Sequence, residues 1–231
     1  IPAYRADIIH QVDLSEDIAI AYGYENFVEE IPNVATIGEE AQLEKFYRKV
    51  REILIGLKLI EVKNYHLLTK EELNEKMNKE EKVIPLKNAL GDYNHLRNRL
   101  IPSLMKNLQD NQHNEYPQNI FEIGRVFNFD QDQDTEVKET EKLAITLCSE
   151  KTGFTEIKQI LGVLRNALGL KLEVKESEYV SFIPGRMGEI IVKEKKIGII
   201  GELSPEVITN WDLTVPVVGL ELDLEELFSL L

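Results

Sequence analysis

Four carboxylates lie close together near the start of the chain, in the stretch RADIIHQVDLSEDIAIAYGY, at Asp7, Asp13, Glu16 and Asp17. A helix over the second half of this stretch would place Asp13, Glu16 and Asp17 on one face, because residues three and four apart are neighbours on a helix. Asp7 comes just before and can fold back towards the helix start. Carboxylate oxygens grouped in this way are typical ligands of Mg²⁺ or Ca²⁺.

The same acids also have a structural interpretation. Asp13 and Glu16 have the spacing of a capping box, in which the first residue caps the helix and the one three positions later bonds back to it. Asp17 is then solvated, and Asp7 pairs with Arg5. Since a helix amino terminus favours negative charge by itself, spacing alone favours capping over a metal site.

Three cations, Arg97, Arg99 and Lys106, lie around a predicted helix start in HLRNRLIPSLMKNL. They contact either an anionic ligand or acids of the same chain. Ion pairing is favoured, because the chain has 41 acidic and 27 basic residues. Other motifs are absent from the sequence: the four histidines lack zinc-site spacing, and there is no Walker-type or GxGxxG phosphate loop and no GxSxG nucleophile.

Composition predicts one to two folded domains. The chain has 231 residues, of which 43% are hydrophobic, and a formal charge of −14, which opposes broad binding to a phosphate backbone. The single cysteine, Cys148, lies in the apolar run LAITLC, so we expect a buried thiol and a reducing compartment. No apolar run reaches the roughly 20 residues of a membrane span. Because the chain starts at Ile1 inside a predicted strand, we expect a segment of a longer polypeptide.

Hydrophobic periodicity alternates between helices and strands along the chain. Strong helices are predicted near residues 39–57, 100–111 and 153–169. Strands are predicted near 2–8, 59–68, 119–129, 141–148 and 215–224, and a hairpin of two strands over 188–203. The polar stretch 25–40, with Pro32 and Gly38, is the predicted linker. Because the strands arrive in hairpin-like pairs, the pattern predicts an α+β fold with a mainly antiparallel sheet.

Five stretches, in this order, resemble the beta subunits of phenylalanyl-tRNA synthetases of the archaeal and eukaryotic kind: YRADIIHQVDLSEDIAIAYGY, LRNRLIPSLMKNLQDN, NIFEIGRVF, FIPGRMGEI and IGIIGELSPEV. The resemblance covers essentially the whole chain. It implies that residues 1–32 are the C-terminal end of a small α/β domain plus a linker. Residues 33–231 are then a class II aminoacyl-tRNA synthetase-like core, an antiparallel sheet flanked by helices.

The resemblance also shifts the interpretation of the acids. The matching acids in that family are assigned to a Mg²⁺ ion shared with the alpha subunit, and Asp7, Asp13, Glu16 and Asp17 have the same spacings. We therefore expect a metal site at a subunit boundary. Many relatives have glutamate where this chain has Asp17, whose shorter side chain would change the ligand geometry.

For catalysis, the resemblance implies that this chain has lost the arginines of a class II active site. A class II active site needs an arginine in an Arg-x-Glu/Asp element and another late in its third motif, because positioned cations stabilise the phosphate charge of the transition state. The only Arg-x-Asp/Glu here is Arg5-Ala-Asp7, and no arginine follows Arg186. We therefore expect no catalytic and no cofactor-binding residue in this chain.

The expected role is that of a cytoplasmic, non-catalytic subunit in an assembly of two alpha and two beta chains, with no membrane contact. The alpha subunit would attach phenylalanine to tRNA(Phe), using ATP and Mg²⁺. The helix at 39–57 and the strand around Phe121 are the expected subunit contacts, and the editing site lies outside this chain. The alternatives are an active ligase, and a free-standing protein-interaction module derived from a synthetase.

Overall fold

The computed structural model describes residues 1–34, 38–89 and 91–231, so residues 35–37 of the predicted linker lie outside the described residues. The chain forms two compact units, Ile1–Glu39 and Glu40–Leu231. The domain boundary expected between residues 32 and 33 stays a prediction.

The first unit contains helix α1 (Gln11–Tyr22) and a short 3₁₀ turn at Tyr24–Asn26. The strand predicted near residues 2–8 is wrong, because the backbone makes turns there. None of the described residues of this unit is buried. The segment therefore lacks the buried apolar face that stabilises a strand or a helix in a larger domain.

The second unit alternates helices and strands. Its helices are α2 (Gln42–Gly56), α3 (Lys70–Leu73), α4 (Ile101–Asp110), α5 (Phe154–Leu168), α6 (Pro205–Asn210) and α7 (Leu224–Ser229). Its strands are β1 (Ile60–Glu61), β2 (Leu67–Leu68), β3 (Ile84–Pro85), β4 (His95–Leu96), β5 (Gln118–Phe129), β6 (Val137–Cys148), β7 (Leu172–Glu176), β8 (Phe182–Val192), β9 (Lys195–Leu203) and β10 (Val217–Asp223).

Seven of these strands form one large sheet in the order β1-β5-β6-β10-β9-β8-β7. Every described pairing in it is antiparallel except that of β1 with β5. The expected α+β fold with a mainly antiparallel sheet is confirmed. The single strand predicted over 59–68 is wrong: its two ends are separate short strands, and β2 belongs to a second sheet of order β2-β4-β3.

The two faces of the large sheet carry two different cores, because side chains alternate across a strand. On one face, Val218, Leu220 and Leu222 of β10 pack in a cluster with residues of α2, α5 and α7. On the other face, Val217 packs in a cluster with residues of α4 and α6, which also contains Cys148. Burial raises the pKa of the Cys148 thiol to about 12, and the expected buried thiol is confirmed.

Two glycines of β9 allow neighbouring residues of β8 and β10 to approach the strand closely. A Cβ at Gly201 would lie 2.7 Å from the ring of Phe182, and one at Gly198 would overlap the carbonyl oxygen of Glu221. Their role is therefore in packing, as expected for glycine inside a strand.

Candidate functional site

Asp13 belongs to the capping structure of α1. The helix begins one turn earlier than the sequence suggests, with His10 as the N-cap: its Nδ1 accepts from the backbone N–H of Val12 at 3.1 Å. Asp13 Oδ2 accepts from the backbone N–H groups of Ile9, at 2.9 Å, and His10, at 2.7 Å. A capping box is present, as predicted, but Asp13 is its second member, and the predicted box of Asp13 with Glu16 is wrong.

Asp7 and Asp17 are joined by one guanidinium. Arg5 Nη2 lies 2.8 Å from Asp7 Oδ2 and 2.9 Å from Asp17 Oδ2. Hydrogen bonds to Asp7 and then to Asp17 raise the pKa of Arg5, and the hydrogen bond from Arg5 lowers the pKa of Asp7. The positive charge beside these two acids is thus supplied by the chain itself.

The four acids do not form a metal cage in this arrangement. Glu16 is exposed, and its side chain makes no hydrogen bond or ion pair with any described residue. Across the described parts of the chain, no group of three or more His, Cys, Asp or Glu side chains has the geometry to hold a metal ion. Mg²⁺ demands close, near-octahedral oxygen ligation, so Asp7 and Asp17 would fit it only after Arg5 moved away.

In the second unit, Arg97 and Glu122 form a salt bridge with no exposed side-chain surface. Arg97 Nη1 lies 2.8 Å from Glu122 Oε1, and both side chains are 0% exposed. Arg97 Nε donates to the carbonyl of Arg125 at 2.9 Å, and Asn64 Nδ2 donates to Glu122 Oε2 at 2.7 Å. Arg97 Nη2 has no hydrogen-bond partner among the described residues. This pair ties the segment before α4 to β5.

The other two cations of the same stretch also pair with acids. Arg99 contacts Glu81, and Lys106 Nζ lies 2.6 Å from Glu72 Oε1. Burial opposes the ionisation of Glu81, but Arg99 and Lys79 together hold its pKa below the ordinary value. The expectation that this basic stretch pairs with acids of the same chain is confirmed.

Glu221 connects three elements at the centre of the sheet. Its Oε2 accepts from the backbone N–H groups of Leu100 and Ile101, at 3.0 and 3.1 Å, at the start of α4. Its Oε1 accepts from Lys142 of β6 at 3.0 Å. A β10 carboxylate therefore caps the amino terminus of α4, where the helix dipole favours negative charge.

Sequence reasoning did not identify Glu122 or Glu221 as partners. Each is an acid within an almost wholly apolar central strand, NIFEIG or VVGLEL, and an acid in such a strand is rarely buried unless it is paired. An acid in an apolar strand therefore indicates a buried, paired carboxylate at each of the two positions. The partners, Arg97 and Lys142, are 25 and 79 residues away and are identified only by the fold.

Comparisons with known proteins agree with this architecture. Residues 28–224 match the model of the phenylalanyl tRNA synthetase beta chain CLM domain, and residues 1–24 match that of the tRNA synthetase B5 domain. In a solved structure, the pyrrolysyl-tRNA synthetase from Desulfitobacterium hafniense, the fold is similar with a TM-score of 0.67 at 20% identity. That match covers 81% of this chain and 68% of the other. At this identity it shows the fold alone, and it confirms the expected class II synthetase-like core.

Several curated relatives match along nearly the full chain. A phenylalanine–tRNA ligase beta subunit from Thermococcus sibiricus is 41% identical over 230 residues, covering 99% of this chain and 41% of the relative. Those from Pyrococcus horikoshii and Methanocella arvoryzae are 42% and 40% identical, covering 98% of this chain and 41% and 42% of the relatives. The chain therefore spans about two fifths of the length of these relatives. Because the CLM model covers most of its residues, the chain belongs to the phenylalanyl-tRNA synthetase beta chain family.

Proposed function

We propose that this chain is the core of a phenylalanine–tRNA ligase beta subunit and contributes structure, not chemistry, to aminoacylation. The observation that carries the proposal is identity of about 40% to named beta subunits along nearly the full chain. In this proposal a separate alpha subunit attaches phenylalanine to tRNA(Phe), using ATP and Mg²⁺, in a cytoplasmic assembly of two alpha and two beta chains.

The pairing of the core arginines supports a non-catalytic role. Clamping a nucleotide triphosphate requires cations that are free to meet phosphate oxygens. In the described part of the second unit, every arginine except Arg165 contacts a glutamate of the same chain: Arg48 with Glu40, Arg51 with Glu61, Arg97 with Glu122, Arg99 with Glu81, Arg125 with Glu139, and Arg186 with Glu202.

Exposed apolar side chains support an interface at one edge of the sheet. Ile55 of α2 is 55% exposed, and Ile60 of the edge strand β1 is 64% exposed. The element predicted at residues 39–57 thus presents apolar surface next to β1, which pairs with β5 near Phe121. We propose this edge as the contact with the alpha subunit.

Among the described residues, none of the helices has the length and apolar character of a membrane span.

The test is ATP–pyrophosphate exchange with phenylalanine, measured on the purified chain alone, on the alpha subunit, and on the two together. We expect no exchange from this chain by itself. We expect a stable complex of defined stoichiometry when the two are co-expressed. Exchange by the chain alone would support an active ligase instead, and failure to form the complex would support the free-standing interaction module.

The magnesium site stays a proposal about Asp7, Asp13, Glu16 and Asp17. Because Arg5 now neutralises two of these acids, Mg²⁺ has to compete with a guanidinium for them. Titration of the assembled enzyme with Mg²⁺ should show one site whose affinity falls in both Asp13→Ala and Glu16→Ala. Unchanged affinity in both variants would leave Asp13 as part of the helix cap only.

A further inference from the structure

A polar recess of about 360 Å³ lies against the central strands of the large sheet. It is lined by residues of β9, by Lys142 of β6 and by Glu221 of β10. Its lining also includes Lys79, Arg99 and Tyr179, which come from segments outside the sheet. Nothing in the proposed structural role of the core uses this recess.

Four cations line the recess, against three carboxylates, in a chain whose overall charge is −14. They come from four separate segments: Lys79 after α3, Arg99 before α4, Lys142 in β6 and Lys196 in β9. The four positive charges also repel each other. Burial lowers the pKa of Lys79, the bond to Glu81 opposes this change, and the positive charges of Arg99 and Lys196 lower the pKa further. An anion among them would relieve this repulsion.

The carboxylates of the recess are already bonded to the protein. Glu81 has four partners: Lys79 at 2.6 Å, Asn98 Nδ2 at 2.8 Å, the Tyr179 hydroxyl at 3.4 Å, and Arg99. Glu221 accepts the three hydrogen bonds described above, and Asp223, the third carboxylate, accepts from the backbone N–H of Glu226 at 2.8 Å. A carboxylate has about four lone-pair sites, so Glu81 has little capacity left to accept from a ligand.

The ammonium groups, by contrast, have donors to spare. A lysine ammonium has three N–H donors. Among the described residues, Lys142 bonds only to Glu221, and Lys196 bonds only to Glu189, at 2.6 Å. The recess thus offers more unused donors than unused acceptors, which selects a ligand rich in acceptor oxygens.

We propose that this recess binds a small phosphate-bearing anion, held by the unused ammonium donors of Lys142 and Lys196, while Lys79 and Arg99 stay paired with Glu81 and add positive charge. The two ammonium groups come from separate strands and can donate to different oxygens of a tetrahedral phosphate, and hydrogen bonds from cations to phosphate are among the stronger ones in proteins. The Tyr179 ring already contacts Lys79, at 3.5 Å from its centroid, and Arg99, at 4.7 Å. The ring is therefore poorly placed to stack on a nucleotide base.

The test is calorimetric titration of the purified chain, without any partner, with inorganic phosphate, pyrophosphate, citrate and ATP. We expect saturable binding of pyrophosphate, weaker binding of phosphate and citrate, and no gain for ATP over pyrophosphate. Lys196→Gln should weaken pyrophosphate binding about tenfold, the loss of one charged hydrogen bond. The Lys196 side chain is 51% exposed, so this variant should remain folded.

Lys195→Gln is the matched control, because Lys195 is the neighbouring residue of β9 and pairs instead with Glu226 of α7, at 2.7 Å. It should leave binding unchanged. Pyrophosphate should also protect Lys196, but not Lys195, from an amine-acetylating reagent, as read by mass spectrometry. Absence of saturable binding, equal loss in both variants, or tighter binding of citrate or ATP than of pyrophosphate would each overturn the proposal.

Discussion

Arg97 carries a positive charge into a part of the core where it has no contact with solvent. Two charges taken from water into the interior lose their hydration, and their mutual attraction compensates only when the geometry is good. Here Glu122 and the carbonyl of Arg125 supply acceptors, while Nη2 is left without a partner among the described residues. The pair therefore fixes the position of the segment before α4 more than it adds net stability.

Removing one member of this pair should be costly. Glu122→Gln leaves the Arg97 charge buried without its counter-ion, and we expect the free energy of unfolding to fall by about 3–5 kcal/mol. Urea denaturation followed by circular dichroism measures the change. The matched control is Glu139→Gln, which removes an exposed partner of Arg125 and should cost less than about 1 kcal/mol. Equal effects of the two variants would contradict this account.

Gly124 on β5 leaves the space that the same pair needs. A Cβ there would lie 2.5 Å from Arg97 Nη2 and 2.8 Å from Glu122 Oε1. Gly124→Ala should therefore destabilise the protein by about 1–3 kcal/mol, as overpacking does. The control is Gly162→Ala in α5, where a Cβ would meet no atom within 4 Å. Because alanine has the higher helix propensity, this variant should raise the free energy of unfolding by about 0.5–1 kcal/mol. Melting temperatures that shift in the same direction would contradict the packing argument.

Among the secondary structure elements, α4 has its amino-terminal cap supplied by a residue of another element. No side chain within the helix caps its first turn; Glu221 of β10 accepts from two of its first N–H groups. The sheet thus sets where the helix begins. The Lys142 ammonium compensates the negative charge of this buried carboxylate.

Glu221→Gln tests the dependence of α4 on the sheet. The amide can still accept one hydrogen bond, but its charge no longer balances Lys142 or the helix dipole. We expect a loss of about 1–3 kcal/mol in the free energy of unfolding, the range for hydrogen bonds to charged groups. Denaturant titration measures it, with Glu173→Gln on the exposed edge strand β7 as a control expected to change little. No change in the free energy of unfolding would contradict the stabilising role of the Glu221 charge at this helix start.

The elements that the sequence predicts well are those whose pattern is set locally. Helices α2, α4 and α5 and the long strands β5, β6 and β10 follow from apolar periodicity. Residues 2–8 have strand-like composition, but a strand needs a neighbour, which a local pattern cannot supply. The same limit hides Glu122 and Glu221, since burial of a charge depends on a partner distant in sequence.

The two units of the chain contribute unequally to its stability. None of the described residues of the first unit is buried, and the three clusters of buried apolar residues draw only on residues of the second. Stability scales with apolar surface removed from water. The second unit should therefore account for nearly all of the cooperative unfolding transition.

A variant that begins at Glu40 should keep the stability of the full chain. We expect its urea midpoint to match that of residues 1–231, with a free energy of unfolding within about 1 kcal/mol. The denaturant slope should decrease only slightly, because it follows the surface exposed on unfolding. Tryptophan fluorescence from the buried Trp211 measures the transition. A lower midpoint would show that the first unit contributes to the core.

The β5–β6 hairpin extends past the rest of its sheet. Strand β10 pairs with β6 only from Lys142 onwards, while the segment before α4 still holds β5 as far as Phe127, whose N–H donates to the carbonyl of Arg97 at 2.9 Å. Residues 128–129 and 137–138 therefore form the end of a two-stranded ribbon. A two-stranded ribbon alone is marginally stable in water. Amide protons along β5 should therefore exchange with deuterium in a gradient: slowly near Phe121, where the strand is enclosed, and much faster towards Phe129. One continuous strand thus opens by local fluctuation at one end, while the other end opens only when the core unfolds.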